Sequence, residues 1–293
     1  MVAARSRCEA GPIGEAGSTW KAGGMDRSLV VALAQQRSGS QVGANAAAVA
    51  ETLATAADRG AQLVVLPEAT MACFGTPLAE VAEPLDGPFA TSVRRAAHRA
   101  GVVAVVGMMT PADDGRVHNT LLVTGPGVED HYDKIHLFDA LGSHESRTVA
   151  PGDRPVVVEV AGVGVGLTTC FDVRFPDLSQ SLARRGAEVI VVAASWASGP
   201  GKADQWDVLT RARALDSRSF VVACDQPFTD PGESKAALGI GHSRVVDPWG
   251  ALRAQLGPEP GLLVHRIDLG EVATARARLP LAGIGGRGAA GRP

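Results

Sequence analysis

The sequence predicts an α/β protein: one domain in which two mixed sheets are flanked by helices. Three observations carry that prediction. Apolar runs of strand length alternate with segments of helical periodicity along most of the chain. Two of the runs, 156–160 and 163–168, are separated only by Ala161-Gly162, and a hairpin of that kind excludes a purely parallel sheet. No linker and no shift of composition divides the chain, so one domain is expected over residues 27–280.

Taken in order, Leu29–Gln35 (LVVALAQ) reads as a first buried strand. Asn45–Arg59 follows as a helix with Val49, Leu53 and Ala56 on one face, Asn45 as its N-cap and Gly60 as its stop. Gln62–Leu66 is the second strand and runs into Pro67-Glu68. Pro88 suits the first turn of a helix reaching Ala100, and Gly101 ends it. Strands are expected at Val102–Met109 and Asn119–Thr124, then at His131–Phe138, whose alternation carries Tyr132, Lys134 and His136 on one face. The hairpin 156–168 leads into Cys170, after which Pro176, Leu178 and Leu182 open a helix. Glu188–Ala193 is a strand, and a helix from about Ala203 to Ser217 would bury Trp206, Leu209 and Ala212. Strands at Phe220–Ala223, His242–Val246 and Leu262–Ile267 complete the set. Residues 1–26 lack the apolar core of a signal peptide and read as a disordered or mis-assigned extension, and 281–293 as a Gly/Arg-rich tail.

Composition narrows the function. A formal net charge of −3 with mixed signs gives no basic stripe for nucleic acid or an anionic membrane. No apolar run is long enough to span a bilayer. The four cysteines (Cys8, Cys73, Cys170, Cys224) are scattered without a CxxC pair, which fits free thiols in a reducing cytoplasm rather than disulfides or zinc. His131, His136 and His144 have no second cluster to complete a metal site, so no metal and no cofactor is expected.

Polar residues at the ends of apolar strands are the candidates for chemistry, because active sites of α/β folds collect there. Glu68, Lys134 and Cys170 occupy such positions. A cysteine in a strand-to-helix turn has backbone N–H groups around it, which favour the thiolate and could hold an oxyanion. A carboxylate such as Glu68 can serve as its base when burial and a cation tune it. Arg174, four residues beyond Cys170, could grip a substrate carboxylate in bidentate fashion or form a salt bridge with Asp172 or Asp177. Ser195 and Trp196 follow the 188–194 strand and are candidates for the pocket wall, Trp196 equally for the core. Gly162-x-Gly164-x-Gly166 lies within a strand and opens no helix, so it is not a dinucleotide loop. Gly241-His242-Ser243 lacks the second glycine of an esterase elbow.

LPEAT (66–70), YDKIHLFD (132–139) and TTCFDVRFPD (168–177), in that order, resemble the carbon–nitrogen hydrolase, or nitrilase, superfamily. The resemblance extends through WDVLTRARALDSRSFVVACDQ (206–226) and GHSRVVDPWG (241–250) and covers nearly all of 28–280. Within the superfamily the sequence is most similar to the small-molecule amidase branch of omega-amidases and deaminated-glutathione amidases. The resemblance implies a four-layer αββα sandwich, homodimers or larger assemblies, and a triad of Glu68, Lys134 and Cys170. It also implies a second glutamate, Glu145 in HESRTVAPGD, although Gly142-Ser143-His144 stands where an aromatic is usual.

The chemistry so implied is amide hydrolysis through a cysteine thioester. Glu68 would take the thiol proton, and Lys134 with the backbone N–H of Phe171 would hold the oxyanion. Glu145 would keep Lys134 charged and oriented. The expected substrate is a small, linear, carboxylated amide. A nitrile, an N-carbamoyl amino acid and a catalytically silent scaffold stand as alternatives.

Overall fold

A computed structural model describes residues 27–229 and 239–280. The expectations for residues 1–26 and 281–293 lie outside the described residues. The strands are β1 (Ser28–Gln35), β2 (Leu63–Val65), β3 (Val103–Pro111), β4 (Val117–Gly125), β5 (Val128–Asp133), β6 (Val149–Ala150), β7 (Val157–Val160), β8 (Val163–Thr169), β9 (Val189–Ala194), β10 (Phe220–Asp225), β11 (Arg244–Val246), β12 (Leu252–Gln255) and β13 (Gly261–Asp268). The helices are α1 (Val42–Asp58), α2 (Leu78–Val81), α3 (Pro88–Ala100), α4 (Pro176–Arg184), α5 (Lys202–Ser217) and α6 (Gly270–Arg278).

The strands form two sheets, ordered β13-β1-β2-β3-β4-β5, with β6 beside β4, and β12-β11-β10-β9-β8-β7. Each has a parallel centre, β1-β2-β3 in one and β8-β9-β10 in the other, with antiparallel pairing outside it except between β4 and β6, which are parallel. Period-2 alternation explains the layering. Leu29, Val31 and Leu33 of β1 face Val165, Leu167 and Val191 of the other sheet in one core. Ala32 and Ala34 turn the other way, against Val49 and Leu53 of α1 and Phe89 and Val93 of α3. On the far side, Ile190 and Val192 of β9 pack on Leu182 of α4 and Trp206 of α5. The result is the predicted four-layer αββα sandwich.

Some expectations are corrected. β5 stops at Asp133, so Lys134, His136 and Phe138 leave the strand. Their alternation misled because side-chain carboxylates replace strand acceptors there: His136 N–H donates to Asp172 and Phe138 N–H to Glu145. Asn45 lies inside α1 and does not cap it. Its side chain instead bridges the Gly39 backbone and the Met71 carbonyl. α5 buries Trp206, Thr210, Arg213 and Ala214, while Leu209 and Ala212 are only partly covered. That face tolerates polar residues because each group has a partner: Thr210 donates to the Trp206 carbonyl, and Arg213 to the Val173 carbonyl and to Asp216.

Candidate active site

Glu68 follows β2, Lys134 follows β5, and Cys170 follows β8, so three strand ends from two sheets converge on one cavity of about 390 Å³. The cavity is lined by all three residues together with Glu145, Arg174 and Trp196, and Ser195 and Phe171 also face it. Every predicted site residue is therefore at the same place.

Glu68 and Lys134 are buried, 1% and 2% exposed. Buried charges require partners. Lys134 Nζ donates to Glu68 Oε1 at 3.1 Å and to both oxygens of Glu145 at 3.0 Å. Glu68 Oε1 also accepts from Asn119 Nδ2 at 2.7 Å, and Oε2 from the Ser195 N–H at 2.9 Å. Burial works to strip the Lys134 proton, yet Glu68, then Cys170 and Glu145, outweigh it and hold the ammonium above its usual range. Two carboxylates thus share one cation. Either can accept a proton without leaving Lys134 unpaired.

Cys170 is forced into the left-handed region, with φ of 45°, a strained conformation for a side-chain-bearing residue. The five-residue 3-10 turn it opens is held from its cap, where the Thr169 N–H donates to Asp172 Oδ2 at 2.9 Å. The expectation of a favoured thiolate is reversed. Burial raises the thiol well above its ordinary range, Glu68 raises it further, and Lys134 only partly opposes them.

Other residues hold the site in shape. Asp172, fully buried, accepts from Tyr132 Oη at 2.7 Å, from the Thr169 N–H at 2.9 Å and from the His136 N–H at 3.0 Å. It thereby ties the Lys134 loop to the Cys170 turn. His136, a rejected metal candidate, lies flat on Phe175 at 3.7 Å between ring centroids. Among the described residues no group of His, Cys, Asp and Glu is arranged to hold a metal. Asp225 accepts from the Trp196 N–H and the Ile240 N–H, each at 2.7 Å, and Gln226 Nε2 donates to the Glu68 carbonyl. Asn119 and Asp225 had one legible signal, a polar residue inside or ending an apolar strand. Arg174 forms no ion pair with Asp172 or Asp177. It donates to Gln205 at 2.7 Å and lies over the rings of Trp196 and Phe171, 5.0 and 5.8 Å from their centroids.

The chain is similar to proteins already known. A hydrolase of Mycobacterium tuberculosis is 54% identical over 261 residues, covering 85% of this chain and 92% of the relative. The deaminated glutathione amidase of Escherichia coli is 36% identical over 242 residues, covering 81% of this chain and 89% of the relative. The crystal structure of a superfamily protein from Xanthomonas campestris, with an arsenic adduct in its active site, superposes with a TM-score of 0.77. It is 27% identical and covers 87% of this chain and 96% of that one. The sequence profile of the carbon–nitrogen hydrolase family matches residues 30–277, and the chain belongs to that family.

Proposed function

We propose that the protein hydrolyses a small, linear, carboxylated amide to carboxylic acid and ammonia through a thioester on Cys170. The observation that carries this reading is the buried Lys134 ammonium, held between Glu68 and Glu145 at the wall of the cavity that Cys170 also lines. Glu68 removes the thiol proton as sulfur attacks the amide carbon. The oxyanion forms against Lys134 and the Phe171 backbone N–H, donors fixed before the reaction begins. Protonated Glu68 then gives its proton to the departing nitrogen, and the same carboxylate activates the water that cleaves the thioester. Glu145 keeps Lys134 charged throughout. No step calls for a metal or cofactor.

Arg174, without a carboxylate partner among the described residues, receives the substrate carboxylate, while Ser195 and Trp196 shape the wall beside it. The E. coli relative, an amidase by name, is consistent with amide rather than nitrile chemistry. Assembly into homodimers belongs to the same reading, supported by Val208 and Leu215 of α5, which are 63% and 48% exposed. Among the described residues no helix is long and apolar enough to cross a membrane, and a cytoplasmic location is proposed on the free thiols.

The test is ammonia release from omega-amides, neutral amides, nitriles and N-carbamoyl amino acids by wild type and Cys170→Ala. Release from carboxylated amides that Cys170→Ala abolishes, with its circular dichroism unchanged, is the expected result. Turnover retained by Cys170→Ala would end the thioester mechanism. Release from nitriles alone would assign the rival chemistry.

A further inference from the structure

Lys202 also lines the catalytic cavity, and no motif pointed to it. It opens α5 directly after Gly201, whose φ of 70° lets the chain turn into the helix. A lysine at this end of a helix opposes the macrodipole, which favours anions there. Its Nζ makes no hydrogen bond or ion pair among the described residues, and rests 5.5 Å from the Trp196 centroid and 5.9 Å from that of Phe138. Arg174 lies over the same Trp196 ring and likewise has no carboxylate partner. Partial burial, followed by the Arg174 charge, makes Lys202 easier to deprotonate than an ordinary lysine, so the two cations feel each other.

The acids of the cavity cannot relieve this repulsion. Glu68 and Glu145 both point at Lys134, which already uses their charge. Two unpaired cations at one aromatic wall, in a partly dry pocket, are balanced by two negative charges arriving with a ligand. The Trp196 indole N–H donates to the Lys202 carbonyl at 3.1 Å, which fixes the lysine backbone to that wall.

We infer that Arg174 and Lys202 together form a two-cation subsite, and that the substrate end remote from the amide carries two carboxylates. Lys202 is then a specificity-determining residue of the reaction. The inference rests on the proposed amidase reading, to which it adds the charge of the substrate.

Three matched amides test it: pentanamide, glutaramate, and glutaramate bearing a second carboxylate on the carbon that holds the first, (2-carbamoylethyl)malonate. In wild type, kcat/KM is expected to rise about 10-fold from pentanamide to glutaramate and about 10-fold again to the malonate, the scale of one charge-assisted contact. In Lys202→Met the second step collapses to near unity through KM, with the first step kept, and Lys202→Arg restores it. A malonate no better than glutaramate in wild type overturns the inference and leaves the monocarboxylate reading standing. So does a second step that survives in Lys202→Met. Glutaramate no better than pentanamide, or no turnover of any of the three, overturns the carboxylate reading and this inference with it.

Discussion

Cys170 and Asp225 show how one cause, burial, acts on two groups of the same site. Burial raises the Cys170 thiol well above its ordinary range. The Asp225 carboxyl is pushed by burial from its ordinary 3.8 up to about 8, although the N–H groups of Ile240 and Trp196 pull it back down. The folded protein therefore binds this proton more tightly than the unfolded chain. Stability consequently falls as pH rises from the ordinary carboxylate range to about 8, and the full cost is present above it. Thermal melts between pH 5 and 9 should show the Tm of wild type declining toward the alkaline end. Asp225→Asn lacks the titration and should give a flatter profile, though a lower one, because an amide cannot accept both backbone N–H groups. Equal slopes in the two proteins would show that Asp225 does not titrate in this window. At this scale the meeting of Glu68, Lys134 and Cys170 was legible in the sequence because a charge or thiol at the end of an apolar run stands out. Lys202 was not, since a lysine at a helix start looks like any solvated cation, and only the fold reveals what stands opposite it.

At the scale of elements, strand ends place the chemistry and glycines let the backbones approach. Gly107 of β3 faces the Glu68 loop so closely that a Cβ there would lie 2.7 Å from Ala69 N and the Pro67 carbonyl oxygen, and 2.9 Å from Glu68 Cα. All three are backbone atoms and cannot swing aside. Gly107→Ala should therefore push Glu68 away from Lys134 and Cys170, lowering kcat by about 10-fold or more and costing about 1–3 kcal/mol of stability through overpacking. Steady-state kinetics beside urea melts would check both, and unchanged kcat would mean that the Glu68 loop yields without loss of geometry. The alternating strands were read to within a few residues wherever the pattern was apolar. The failures have physical reasons. β12 presents Leu252 and Arg253 to solvent, and α6 buries only Val272 and Ala275, so neither carries an apolar stripe. The phase of α5 escaped because its buried Arg213 donates to the Val173 carbonyl, a partner that adjoins it only once the chain is folded, while buried Thr210 is satisfied by the Trp206 carbonyl one turn back.

Over the whole molecule, the two sheets repeat one plan. A strand, helix, strand, helix, strand unit builds the parallel centre of each, β1-α1-β2-α3-β3 in the first half (with the short α2 before α3) and β8-α4-β9-α5-β10 in the second. Glu68 after β2 and Ser195 after β9 occupy equivalent strand ends of the two halves, and the Ser195 N–H donates to Glu68 across the junction. Glu68 and Lys134 come from one sheet and Cys170 from the other, so neither sheet holds all three alone. The catalytic geometry exists only while the inter-sheet core, from Leu33 and Val65 to Leu167 and Val191, stays closed. Activity and secondary structure should consequently disappear in a single urea transition rather than in sequence. Leu167→Ala, which empties part of that core, should cost about 2–5 kcal/mol and move both midpoints down together. Circular dichroism and ammonia release followed over one urea series provide the measurement. An activity midpoint well below the structural one would mean that the sheets separate, or the site loosens, before the fold is lost. In that case the Glu68–Ser195 and Asp172–Tyr132 hydrogen bonds, rather than the apolar core, would set the stability of the site.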